Sequence, residues 1–356
     1  MSRLSAQFRM VRQMMGPVYL AGLTLGQWVA LLRRNQWRVD PAFWPRAVLA
    51  TLGATATSLL RPVDQWLFDG DACDQDLVEH PVFVLGMARS GTTMLFNLLA
   101  RNPHFGYPSR MDAFYPHTFR TLHRLGIPRL LSLIPGQSRS LDNVRVTWLS
   151  PEEDILALCV LAGTGERMAA AFPRGDYLRL STEEWRRQMR IYSRRLVQVY
   201  RRHLLFKSPE HLVRIPEILA EFPQARFVMI FRNPITQYHS VLGMRSTANR
   251  IWGALQWPGP EPQRMWLDVA RYHLKQYFQN RTLIPPENLI EVRYEDVAAR
   301  QTEVLQAIHR HLRIPEPADY PPVQPYTPNQ YPEMDPELMS QVRRVYAELY
   351  DRGYYP

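Results

Sequence analysis

From Pro81 the chain reads PVFVLGMARSGTTMLFNLLARNP: an apolar run, a turn holding Gly86 and Gly91, then a helical run that opens at Thr92. A strand that turns through glycines into a helix aims backbone N–H groups at one spot, with the positive end of the helix dipole behind them. Such a layout holds a phosphate-like anion. Ser90, Thr92 and Thr93 add hydroxyl donors. A plain structural turn is the competing reading of any Gly-rich stretch, and the run RSGTT from Arg89 to Thr93 weighs against it. A nucleotide triphosphatase would carry Lys after the second glycine, where this chain has Thr92. It would also need an aspartate near the end of another strand to hold magnesium.

The candidate for that other strand is RFVMIFRNP, which ends in Arg232 instead of an acid. A guanidinium at a strand end suits a phosphate held by two parallel hydrogen bonds. Ser240 follows eight residues later on the next helix, within reach of the same anion. One nucleotide with phosphate at two separated positions would satisfy the first loop and this second pair together.

After residue 80 short β-rich runs alternate with helical ones, which predicts an α/β fold with a mostly parallel central sheet flanked by helices. The strands expected are Val82–Leu85, His203–Phe206, Arg226–Phe231 and Leu289–Val292. The helices expected are Thr92–Arg101, Leu212–Phe222, Pro234–Leu242 and Thr302–Leu312. Ser181 and Glu184 form a capping box for a long helix with Trp185, Met189, Tyr192, Leu196 and Val199 on one face and arginines on a solvated other face. Eight prolines between Pro315 and Pro336 dictate an extended connector, and a last helix starts at Asp335–Pro336 and ends near Gly353.

The 356 residues divide on this reading into a helical amino-terminal extension, 1–80, and one domain, 81–356. The extension holds two arginine-flanked apolar stretches, Gly16–Leu32 and Ala47–Leu60. The first is short of the about 20 apolar residues that a spanning helix needs, and no small-residue cleavage site follows it. The pair is expected to pack on the core or in a homodimer, with a membrane surface, touched by residues 16–60, as the alternative. A net charge of +10 calls for anionic company, and no aromatic-and-basic module of a nucleic-acid reader accompanies it. Two cysteines, Cys73 and Cys159, are too few for a disulfide framework and have no metal-site spacing.

Taken together, GMARSGTT, LLFKSPEHL, FPQARFVMIFRNPITQYHSV and VRYEDV, in that order, resemble a sulfotransferase that uses 3′-phosphoadenosine-5′-phosphosulfate (PAPS). The likeness covers roughly Pro81 to Pro315 and is nearest to the branch with the tyrosylprotein sulfotransferases and many bacterial relatives, whose first loop carries Arg where cytosolic aryl and steroid enzymes carry Lys. It implies a P-loop-like three-layer fold, no metal, and PAPS as co-substrate. Gly86, Arg89, Ser90, Gly91, Thr92 and Thr93 would hold the 5′-phosphosulfate, Arg232 and Ser240 the 3′-phosphate, and Lys207 would sit at the bridging oxygen that leaves. Only Lys207 and Lys275 are lysines in this chain, so a lysine at the end of an apolar strand is not idle decoration.

The acceptor hydroxyl (or, second, amine) needs a base. Relatives with the Arg-type loop place Glu soon after the first helix, where this chain has Asp112. Glu153, and His211 just after the lysine, are rivals. Tyr294 and Glu295 read as structural. The apolar extension tips the acceptor from a small molecule toward a lipid, and the location expected is cytoplasmic, against the inner membrane if the extension touches lipid. Two other classes compete. A magnesium-dependent kinase is opposed by Thr92 and Arg232, and a membrane-surface or nucleic-acid-binding protein with a non-catalytic fold would not need Arg232 for its partners.

Overall fold

In the computed structural model, which describes residues 19–138, 145–175, 179–243, 253–259, 265–320 and 333–356, the chain forms two compact units. One comprises residues 1–74, 108–200 and 244–260, the other 75–107, 201–243 and 261–356. The amino-terminal helices thus share a unit with two later segments, rather than standing apart as an extension.

The second unit is built on a five-stranded sheet. Its strands are β1 (Val82–Leu85), β2 (Phe105–Gly106), β5 (His203–Lys207), β6 (Arg226–Phe231) and β7 (Leu289–Arg293), in the order β2-β5-β1-β6-β7. β3 (Gln137–Ser138) and β4 (Arg145–Val146) form an antiparallel ribbon in the other unit. Every pairing in the five-stranded sheet is parallel, with Val84 opposite Lys207 and Leu85 opposite Met229. Because β1 and most of β5 and β6 are buried on both faces, these strands read as continuous apolar runs. The two-residue β2, which carries no run of its own, went unpredicted.

Side chains alternate across the sheet. Val82, Val84, Leu205, Val228 and Ile230 face the helices Thr92–Leu99, Tyr294–Ala299 and Gln301–His311. Phe83 points to the other side, with Phe206, Phe227 and Phe222 at ring distances of 5.3, 5.8 and 6.1 Å. The helix expected at Leu212–Phe222 is a 3-10 turn, Pro209–Val213, followed by a helix Ile215–Glu221. Pro216 stands at the start of the latter, where a missing N–H costs nothing. The last helix begins at Pro336 as expected, with Asp335 accepting from the N–H groups of Glu337 and Leu338. It runs to Val345, and Ala347–Asp351 forms a further short helix. The connector lies mostly at 321–332, outside the described residues.

In the first unit the stretch expected as one apolar segment, Gly16–Leu32, is interrupted. Tyr19–Gly22 is a 3-10 turn, and a helix starts at Leu25 behind a capping box in which Thr24 and Gln27 satisfy each other's backbone N–H. Residues 16–18 lie outside the described set. Trp28, Leu31 and Leu32 are buried, so this helix packs on its own unit. The second stretch is part of a 25-residue helix, Trp44–Phe68. Gly53 lets that helix meet the 3-10 turn closely, since a Cβ there would stand 2.4 Å from the Ala21 methyl. Its Asp64 is buried and paired with Arg120 at 2.6 Å. The predicted long helix spans Thr182–Tyr200, with Ser181 Oγ accepting from Glu184 N. Its arginine face is not wholly solvated, because Arg195 is buried and donates to the Pro116 carbonyl at 2.9 Å. Among the described residues no helix is long and apolar enough to cross a membrane.

Candidate active site

Three neighbouring strands of the second unit, β5, β1 and β6, deliver Lys207, the loop Gly86–Gly91 and Arg232 at their carboxyl ends. In an open parallel sheet that edge is where ligands bind. The loop closes on itself through Ser90 N to Met87 O at 3.1 Å and passes into the helix Thr92–Leu99. Gly91 has φ 99°, and a Cβ there would stand 2.3 Å from Cδ2 of Tyr294. A Cβ on Gly86 would meet Thr92 Cγ2 at 2.6 Å and Ser90 Oγ at 2.7 Å. Both glycines are therefore dictated by close approach as well as by the turn. Arg89 takes the left-handed conformation without being glycine, at φ 67°. Such a conformation costs about 1–2 kcal/mol and is kept where the surroundings over-determine it, commonly at functional sites.

On the β6 side a basic cluster forms around the loop. Arg232 is buried, donates from Nη1 to the Arg89 carbonyl at 3.2 Å, and lies with its guanidinium carbon 4.4 Å from the Tyr294 ring centroid. Arg89 Nε donates to Ser240 Oγ at 2.9 Å. Gln237, also buried, donates to the Ala88 carbonyl at 2.9 Å and tethers the loop from below. The side chain of Arg89, expected with the 5′ group, thus joins Arg232 and Ser240. Two buried donors, Arg232 Nε and Ser90 Oγ, have no hydrogen-bond partner among the described residues. Leaving such groups unmet is costly, the more so for a charge, and an anion at this edge would meet them.

On the β5 side Lys207 is buried with Nζ 3.5 Å from Thr93 Oγ1, which ties the ammonium to the first turn of the loop helix. Tyr294, which the sequence marked only as structural, is wedged between Gly91 and Arg232. Glu295 beside it accepts from Asn233 N at 2.9 Å and from Tyr355 OH at 2.8 Å, so the residue after Arg232 is held by the carboxyl end of the chain.

The three candidate bases have different settings. His211 is fully buried, edge-on to Phe83 at 5.1 Å within the aromatic core of the sheet. Glu153, in the first unit, precedes the helix Asp154–Ala162 and is paired with Arg167. Asp112, also in the first unit, is fully buried and is the capping partner of Ser109 in the helix Arg110–Phe114. It further accepts from Tyr200 OH at 2.6 Å and lies 2.9 Å from His123 Nε2. The contact with His123 was not foreseen, since nothing in a sequence pairs residues 112 and 123. Among the described residues no group of three or more His, Cys, Asp or Glu is arranged to hold a metal ion.

A glycine turn at the carboxyl edge of a parallel sheet, flanked by Lys207 and Arg232, marks the class, a group-transfer enzyme of P-loop-like fold. The chain belongs to the sulfotransferase family, whose sequence profile matches residues 81–318. The omega-hydroxy-beta-dihydromenaquinone-9 sulfotransferases Stf3 of Mycobacterium bovis and Mycobacterium tuberculosis are each 28% identical to it over 326 residues, 88% of this chain and 82% of theirs. The crystal structure of sulfotransferase STF1 from Mycobacterium tuberculosis matches at a TM-score of 0.50 and 16% identity, covering 82% of each chain, a likeness of fold.

Proposed function

We propose that this protein transfers the sulfuryl group of PAPS to a hydroxyl of a lipid-like acceptor. The observation that carries the donor assignment is the pair of buried, unmet donors, Arg232 Nε and Ser90 Oγ, beside a glycine cradle. β5 and β6 are two strand spacings apart, about 10 Å, a gap that one nucleoside with anionic groups at both ribose ends bridges. In this reading the loop amides, Ser90, Thr92 and Thr93 hold the 5′ end, while Arg232, Ser240 and Arg89 hold the 3′-phosphate. The acceptor oxygen attacks sulfur in line, the bond to the bridging oxygen breaks, and charge grows on that oxygen. Lys207 meets it as a point charge.

The acceptor oxygen gives up its proton to a base as the new bond forms.

The lipid-like acceptor rests on the two relatives named for a hydroxylated menaquinone, together with the apolar surface of the first unit, which also favours an enzyme working at a membrane. Calorimetry with 3′,5′-adenosine bisphosphate, ATP and AMP tests the donor. Binding of the bisphosphate alone is the expected result, and equal binding of ATP would overturn the assignment.

A further inference from the structure

We infer that the outer face of the helix Trp44–Phe68, continued by the apolar residues around Ile127–Ser132, is a docking surface for an anionic lipid bilayer on which the protein lies without crossing it. The inner face of this helix is already used: Arg46, Ala50, Ala54, Thr57 and Asp64 are buried in their own unit. A soluble helix then carries charges on the other face. Here no exposed residue of the helix is charged. Trp44, Val48, Leu52, Leu59, Val63 and Trp66 recur at helical spacing as one exposed stripe, with Leu59 at 71% and Trp66 at 83% exposure. At 1.5 Å per residue the stripe runs about 35 Å, far beyond the scattered apolar residues of an ordinary surface.

A second patch adjoins its carboxyl end. Arg124 lies 5.9 Å from the Phe68 ring, and Leu125, Leu130 and Leu133 beyond it are exposed, the last at 79%. Cations bracket the apolar surface. Arg33, Arg34 and Arg38 are exposed around Trp37 before the helix, and Arg124 and Arg129 after it. Of the nearby acids, Asp40 is bonded to Arg174 and Asp69 to Arg120, while Asp71, Asp74 and Asp76 are exposed after the helix. Tryptophan at both ends and arginine around the rim match the boundary between headgroups and acyl chains. The charge also chooses between occupants. The amino-terminal end, with Arg33, Arg34 and Arg38 exposed and Asp40 bonded to Arg174, is basic, so a second copy laid parallel along the stripe would oppose arginine to arginine there, whereas anionic headgroups neutralise it. The buried Arg46 and Asp64 keep the helix on the surface.

This inference stands on the helix surface and does not depend on the acceptor. Its test is co-sedimentation of the full chain with vesicles of phosphatidylcholine containing a quarter phosphatidylglycerol, and with phosphatidylcholine alone. Binding to the anionic vesicles is expected, partly retained in high salt. The double variant Leu59→Ser/Trp66→Ser, at exposed positions, should lose at least about tenfold in vesicle affinity with an unchanged melting curve and unchanged bisphosphate binding. Leu130→Ser/Leu133→Ser should weaken binding as a second, independent variant. Four outcomes would overturn it: the first double variant binding like the parent, complete release by salt, a dimer by light scattering that binds no vesicle, or a monomer that binds none. Calorimetry without vesicles reports separately on the donor site.

Discussion

In the proposed function Arg232 serves binding and Lys207 serves chemistry, a division that kinetics tests. Arg232→Ala removes a buried guanidinium from a phosphate and is expected to cost about 2–4 kcal/mol in affinity for 3′,5′-adenosine bisphosphate by calorimetry. Lys207→Ala is expected to lower kcat about 10²–10³-fold, with that affinity little changed. Both residues were legible because each ends an apolar strand, Lys207 in a chain nearly without lysine. The left-handed Arg89 and its bond to Ser240 were not, since a one-dimensional pattern carries neither backbone angle nor rotamer. Asp112 reads in the sequence as an acid soon after the first helix, but its complete burial and its three partners come from residues 109, 123 and 200 meeting in space.

At the scale of elements, the loop is clamped from β7 and the chain's carboxyl end as well as from β6. Tyr294 fills the space against Gly91, and the Glu295–Tyr355 bond holds Asn233 next to Arg232. Tyr355→Phe leaves a carboxylate oxygen of Glu295 unmet, and is expected to lower stability by about 1–2 kcal/mol in urea unfolding and to weaken bisphosphate binding. An unaltered dissociation constant would show that the clamp does not reach the donor. The main strands were legible as short apolar runs. Element ends followed local chemistry overlooked in the sequence, such as the Thr24–Gln27 capping box that divides an apolar stretch and the proline that restarts the helix at Ile215.

Across the whole molecule each unit contains a histidine held neutral. Burial first, then Arg61 and Arg195, pushes His117 down to about 3. Burial and then His203 push His104 down to about 4. In the unfolded chain both titrate near 6.5. Between those limits the unfolded state binds more protons, so stability is full above about 6.5 and falls as pH drops toward 4. Asp296, held low by its bonds to Arg293 and Arg300, adds its loss only as pH falls through its ordinary 3.8. Melting temperatures are therefore expected to decline from pH 7 to pH 5, and His104→Gln/His117→Gln should flatten that decline.

What the sequence alone determined is the parallel α/β sheet and the residue types along its carboxyl edge, because buried strands must be apolar and a tight strand-to-helix turn demands glycine at short local spacing. Tertiary structure decided the division into two interleaved units. The helices of residues 108–200 join the amino-terminal ones through buried pairs such as Asp64 with Arg120 and through Gln27, whose amide donates to the Leu161 carbonyl. Such contacts between residues dozens of positions apart leave no periodicity to read.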